Sequence, residues 1–257
     1  MTNAAFKAGR SLSRDFGEVQ NLQVSRKGTG DFVTNADLKA EKIIREELAE
    51  ARPKFGFLME EGGEIKGEDP QNRWIIDPLD GTHNYMHGHP HFCISIALER
   101  EKEIVAGVIY NPATDELFVA ERGQGAFAND TRMRVAARRD LHDCLVSTNI
   151  PRLGQTSHKR ALRQQAAVMK ETIGVRSSGS TALDLAYVAA GRLDGTWQSG
   201  PQAWDFAAGI ILVREAGGYV SALNGSRDMF GTETILAGNE RIHRQLGDVV
   251  RAANVAQ

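Results

Sequence analysis

Asp77 and Asp80, separated by Pro78 and Leu79 and followed by Gly81 and Thr82, lie close enough in the chain to repel each other unless a cation joins them. Hard carboxylate oxygens suit Mg²⁺ or Mn²⁺. Gly81 tolerates unusual dihedrals, so the chain can turn sharply here and leave free backbone N–H groups close to the two carboxylates, open to an anion such as phosphate. One short segment could therefore hold both a metal and a phosphate. An Asp-Pro turn whose second aspartate caps the next element accounts for the same residues. Other carboxylates stand in comparable places. Glu60 and Glu61 follow the apolar run Phe55–Met59, and Asp205 opens the almost wholly apolar stretch Trp204–Val213. A lone carboxylate on a buried helix needs a partner, which either the helix N-terminus or a cation shared with Asp77 and Asp80 supplies. Asp37, just before a helical pattern, complements a helix dipole worth ~0.3–1 kcal/mol.

The rival chemistries are weaker. His83, His87, His89 and His91 could suggest zinc, but Gly88 and Pro90 interrupt them and no helical His-x-x-x-His with a glutamate is present. A serine or cysteine hydrolase is disfavoured, because G-x-S-x-G is missing and neither Cys93 nor Cys144 has a recognisable partner. His158 and His243 fall in predicted surface helices without a specific role.

The positioning elements follow from apolar spacing. A loose helix is predicted from Asn3 to Gln20, then a hairpin around Gly28 and Gly30. A helix carrying Leu38, Ile43, Ile44 and Leu48 is stopped by Pro53. Phe55–Met59 is a short strand delivering Glu60 and Glu61 to a Gly62-Gly63 turn. Trp74–Ile76 is a strand expected to end at Asp77, since Pro78 cannot donate a ladder hydrogen bond. Four strands at Phe92–Leu98, Ile104–Tyr110, Glu116–Ala120 and Gly125–Ala128 form an antiparallel meander. Beyond about residue 140, α and β elements alternate: strands near Leu145, Val175, Asp194–Trp197, Tyr219–Ala222 and Ile235-Leu236, and helices at 158–171, 181–190 and 204–216. Asn239 caps a last helix. The reading is an α+β half, 1–140, and a layered α/β half, 141–257, within one domain.

With 257 residues, 41% of them hydrophobic, the chain can bury a sizeable core. A formal net charge of −2 and a pI near 6.4 provide no global basic field for nucleic acid or a membrane surface, which points to a small-molecule partner. Two cysteines without C-x-x-C and an N-terminus lacking an apolar run lead to the expectation of a reducing cytoplasm.

Glu60-Glu61 after a strand, Trp74 to Asn84, and Trp204-Asp-Phe-Ala-Ala-Gly with Glu215-Ala-Gly-Gly, in this order and at these separations, closely resemble the inositol monophosphatase family. Asp31-Phe-Val-Thr-Asn-Ala-Asp37 matches its upstream motif, so the resemblance spans nearly the whole chain. It implies the layered αβαβα sandwich of the sugar phosphatases, Mg²⁺ dependence, inhibition by Li⁺ and a homodimer. Residue by residue, it implies that Glu60, Asp77 and the Leu79 carbonyl hold one Mg²⁺, while Asp77, Asp80 and Asp205 hold a second. Thr82 and Asp37 would orient the attacking water and receive its proton, with Glu60 on the catalytic side and Glu61 assisting from farther out. The Gly81 and Thr82 amides would grip the phosphate. Arg176–Thr181 resembles the substrate-side loop, placing Gly179, Ser180 and Thr181 beside the polyol with Gln198 and Asp205; Ser180 is also suited to cap a helix. Lys27 resembles a mobile basic residue near the site.

Two departures bear on specificity. His83 stands where a second threonine is usual, and Gln198 where inositol-preferring relatives usually carry glutamate. A neutral amide binds a polyol less tightly than a carboxylate and offers a donor that glutamate lacks, so weakened inositol preference is expected. The resemblance implies a phosphate monoester hydrolase working by metal-activated water, acting on inositol 1- or 4-monophosphate. Fructose 1,6-bisphosphate, histidinol phosphate and 3′-phosphonucleotides are the alternative substrates. A reading of another class is a regulatory protein associated with RNA polymerase or its factors, since bacterial relatives include extragenic suppressors of that kind.

Overall fold

Ile75 and Ile76 face opposite sides of one strand, and both sides are buried, which explains why Trp74–Ile76 reads as a continuous apolar run. The computed structural model describes residues 1–16, 24–28, 31–151 and 157–255. In chain order the first half contains α1 (Thr2–Phe16), β1 (Val24–Gly28), β2 (Asp31–Thr34), α2 (Asn35–Ala51), β3 (Phe55–Met59), β4 (Gly63–Ile65), β5 (Asp69–Asp80), α3 (Thr82–Met86), β6 (Cys93–Arg100), β7 (Glu103–Asn111), β8 (Glu116–Glu121), β9 (Gly125–Ala128) and β10 (Thr131–Arg132). The second contains β11 (Leu145–Thr148), α4 (His158–Met169), β12 (Gly174–Arg176), α5 (Thr181–Ala189), β13 (Gly195–Ser199), α6 (Ala203–Glu215), β14 (Tyr219–Ser221), α7 (Met229–Thr232), β15 (Thr234–Gly238) and α8 (Glu240–Val255). The predicted helix as far as Gln20, the turn at Gly30 and the side chain of Lys27 lie outside the described residues.

An eight-stranded sheet runs β10-β9-β8-β7-β6-β5-β3-β4, antiparallel except for the parallel pair β3–β5. A five-stranded sheet runs β12-β11-β13-β15-β14, with β11 parallel to both its neighbours. Helices α1 and α2 cover the outside of the larger sheet, α5 and α6 lie between the two sheets, and α4 and α8 cover the smaller one. This is the layered αβαβα sandwich. The central cluster draws on both halves, packing Ile75, Ala97 and Phe118 with Leu185, Phe206 and Leu212. Helix α6 is buried from Phe206 through Val213 because both faces meet apolar partners. Its approach to α5 is close: a Cβ on Gly209 would meet Leu185 Cβ at 2.5 Å.

The meander is present as β6–β9, and its tightest turn places Glu101 and Lys102 at φ 52° and 65°, as a two-residue hairpin requires. The strand expected to stop at Asp77 instead continues to Asp80. Pro78 has no N–H to donate, and the ladder absorbs it by a register shift between Asp77↔Ser95 and Asp80↔Cys93. Strands β4 and β10 and helices α3 and α7, five residues or fewer each, were not read from the sequence. Asn239 caps α8, its Oδ1 accepting from Arg241 N and Ile242 N. His243 is no idle surface residue: it is half-buried, its Nε2 lies 2.9 Å from Ser221 Oγ, and burial lowers its pKa.

Candidate functional site

The bulge at Pro78 turns the end of β5 so that Asp77 and Asp80 both reach a cavity of about 480 Å³ where the two sheets meet α5 and α6. Asp77 is 2% exposed and its Oδ1 accepts from Leu79 N at 2.9 Å. Burial, followed by the charges of Glu60, Asp80 and Asp205, raises its pKa well above the usual aspartate range. Glu60 arrives at the tip of the parallel neighbour β3, its N–H donating to Ile76 O at 3.2 Å. Asp80 Oδ2 accepts from Ser180 Oγ at 2.6 Å and Ala182 N at 2.7 Å, at the start of α5. Burial outweighs these bonds and raises its pKa to about 6.

Gly81 has φ 92°, and a Cβ there would meet His91 O at 2.9 Å, so the turn needs glycine. Thr82 then opens α3, and its Oγ1 donates to Leu79 O at 3.1 Å, with Asp37 Oδ1 a second acceptor at 3.4 Å. Asp37 lies in the first turn of α2 within a capping box, accepting from Thr34 N at 2.9 Å. Burial raises its pKa to about 6 against the Thr34 bonds.

Asp205 differs from its expected role as a lone buried charge. It is half-buried, and its Oδ2 accepts from Gln202 N at 2.8 Å in a second capping box, so the helix start does provide it with a partner. Opposite it, Ser180 caps α5 by accepting from Leu183 N. Thr181 Oγ1 donates to Gln198 Oε1 at 2.7 Å, and Gln198 Nε2 donates to Asp184 Oδ2 at 3.0 Å.

The residues implied for metal, phosphate and polyol all line this cavity; Asp37 reaches it through Thr82, while Glu61 is not among the lining residues and its N–H donates to Glu41 Oε2 at 2.9 Å. Three further residues were missed. Asp184, 2% exposed and raised to about 8 by burial, sits in the apolar helical run Ala182–Val188; a single carboxylate there was the available signal. Asn149 ties the end of β11 to β13 through Ser199 N and O, and Asn84 donates to both His91 O and Ser178 O, fixing the loop before α5 against α3. Of the four clustered histidines, His83 lines the cavity, while the rings of His89 and His91 stack 6.2 Å apart and His91 packs on Tyr187.

Among the described residues no three His, Cys, Asp or Glu side chains stand as a ready cage. Each of three aspartates is engaged by local donors: Leu79 N on Asp77, Ser180 and Ala182 on Asp80, Gln202 N on Asp205. The donor set itself is all oxygen, and the mutual repulsion acting on Asp77 is what a divalent cation offsets, so these residues fit Mg²⁺ or Mn²⁺.

A model of the inositol monophosphatase family matches residues 1–254. The chain is 60% identical over 251 residues to the inositol-1-monophosphatase of Mesorhizobium japonicum, covering 98% of this chain and 94% of that one. It is 41% identical over 239 residues to the Nus factor SuhB of Escherichia coli strain K12, covering 93% and 90%. Among solved structures, the extragenic suppressor protein SuhB of Bartonella henselae superposes with a TM-score of 0.95 at 59% identity, over 98% of this chain and 96% of that one.

Proposed function

The chain belongs to the inositol monophosphatase family and is a phosphoric monoester hydrolase, and we propose that it releases phosphate from inositol 1- or 4-monophosphate with Mg²⁺ held by Glu60, Asp77, the Leu79 carbonyl, Asp80 and Asp205. The observation that carries this reading is the burial of Asp77 among three other carboxylates at the floor of the cavity. Bound there, divalent cations supply Lewis acidity toward the phosphate oxygens and the attacking water. The rest belongs to the chain. The N–H groups of Gly81 and Thr82 hold a phosphate oxygen at the turn. The Thr82 hydroxyl has one proton to give; donated to Asp37 Oδ1, it leaves the Thr82 oxygen free to accept from a water and orient it. Asp37, with its pKa near 6, then takes the proton at neutral pH. Gly179, Ser180, Thr181 and Gln198 form the wall that meets the alcohol part of the substrate.

Phosphate release screened with and without Mg²⁺ over inositol 1-phosphate, fructose 1,6-bisphosphate, histidinol phosphate, a 3′-phosphonucleotide and glycerol 2-phosphate tests the assignment. Mg²⁺-independent turnover, or none with any ester, counts against it. The enzyme acts in this proposal as a homodimer in the cytoplasm, where the buried free thiols of Cys93 and Cys144 suit a reducing medium. Among the described residues no helix is long and apolar enough to cross a membrane. A second reading, association with RNA polymerase or its factors, is favoured by the similarity to the Nus factor SuhB. Binding of RNA polymerase at equal strength by the wild type and by Asp77→Asn would separate that role from catalysis.

A further inference from the structure

Gln198 is 1% exposed and both ends of its amide are engaged: Oε1 accepts from Thr181 Oγ1 at 2.7 Å, while Nε2 donates to Asp184 Oδ2 at 3.0 Å and Thr196 Oγ1 at 3.3 Å. Gln198, Thr181 and Asp184 all line the cavity, yet Asp184 has no part in the reaction described above. Two of the three partners of Gln198 are hydroxyls, which donate or accept equally well; an amide between hydroxyls alone can turn over without losing a bond. The third partner removes that freedom. A carboxyl oxygen against the NH₂ end favours one orientation, with the carbonyl end toward Thr181.

We propose that Asp184 is a specificity-positioning residue: by accepting from Gln198 Nε2 it fixes the amide so that Gln198 Oε1, and the Thr181 oxygen whose proton goes to it, present a set pattern of acceptors to the hydroxyls of a polyol phosphate. The proposal rests on the phosphatase reading. It explains how a neutral glutamine can still read a polyol, since a fixed acceptor loses less on binding than one that must first be turned. Asp184 acts through Gln198 and touches no reacting atom. What it must supply is an acceptor, not a charge.

The test is the ratio of kcat/KM for inositol 1-phosphate to that for glycerol 2-phosphate, measured with Mg²⁺ on the wild type, Asp184→Asn, Asp184→Leu, Gln198→Met and the double variant Asp184→Leu/Gln198→Met, with thermal unfolding to confirm that each is folded. Asp184→Leu, of similar volume but without an acceptor, should lower the ratio by about three- to tenfold, mainly through KM for the inositol ester. Asp184→Asn keeps an acceptor but can also turn its own NH₂ toward Gln198, so its ratio should fall between those of the wild type and the leucine variant. Gln198→Met should lose as much as Asp184→Leu, and the double variant no more than either. A folded Asp184→Leu with an unchanged ratio, an Asp184→Asn as poor as the leucine variant, or losses that multiply in the double variant would each overturn the proposal. Wild-type protein that hydrolyses neither ester instead removes the phosphatase reading and this proposal with it.

Discussion

On the side of the cavity built by the eight-stranded sheet, Glu60, Asp77 and Asp80 bring like charges together; burial drives both aspartates toward their neutral forms, and for Asp77 the neighbouring carboxylates add to it. On the side built by α5 and β13, Thr181, Gln198 and Asp184 are joined in a hydrogen-bonded chain, and the buried Ser180 beside them caps α5 and donates to Asp80. Both sides are polar and each mixes buried with half-buried residues, so burial alone does not distinguish them. The difference lies in what is still wanted. The floor gathers carboxylates whose charge a cation offsets, whereas the wall couples Thr181, Gln198 and Asp184 to one another by hydrogen bonds. In the proposed function a surface of the first kind would bind a cation and a phosphate. One of the second kind would hold a shape and read the alcohol.

The largest break in this contrast comes from Asp77→Asn, which removes the charge shared by both implied cation sites. Turnover should be abolished with the fold kept, and a folded variant within about tenfold of the wild type, worth only ~1.4 kcal/mol, would remove the two-metal assignment. Lithium comes next: at tens of millimolar, on the order of the weakest useful cation sites, it should inhibit at high Mg²⁺ by entering the Asp77, Asp80 and Asp205 site. Unchanged rates across that range would count against the shared site.

A third measurement follows the proton. Asp37 and Asp80 near 6 and Asp184 near 8 all lie above the unfolded aspartate value of 3.8, so between these limits the folded chain holds more protons than the unfolded one. Stability must therefore fall as pH rises through that window. Urea midpoints in EDTA should be lower at pH 8 than at pH 5, and Mg²⁺ should recover much of the loss arising from the floor but none of the part due to Asp184. An Asp184→Asn variant that keeps the full residual slope would show the wall is not its source. The smallest effect belongs to Ser180→Ala, which loses the α5 cap and one bond to Asp80; a loss of about 1 kcal/mol in stability is expected from denaturant titration.

Much of this was legible from residue types. The spacing of Asp77 and Asp80, the glycine after them and the carboxylates ending β3 and opening α6 declare themselves locally, because turn chemistry and apolar runs are local properties. The meander and the alternating second half follow from periodicity. What escaped depended on distant partners. The continuation of β5 past Asp77 needs β6 to absorb Pro78 as a bulge. The half-burial of Asp205 depends on Gln202 closing a capping box. Asp184 looks like a solubilising helical residue until β13 places Gln198 against it.

The layer formed by α5 and α6 carries a consequence for handling the gene. The sheet residues Ile75, Ala97 and Phe118 precede position 140, while Leu185, Phe206 and Leu212, which cover them, follow it. A chain divided near that position would yield one piece with a bare apolar sheet face and another whose helices have lost what they pack on. Each should aggregate when expressed alone. Co-expression is the route by which the two pieces would assemble, with activity returning only in the assembled pair. Tags and cargo proteins are better inserted at the exposed Glu101-Lys102 hairpin than anywhere near that division.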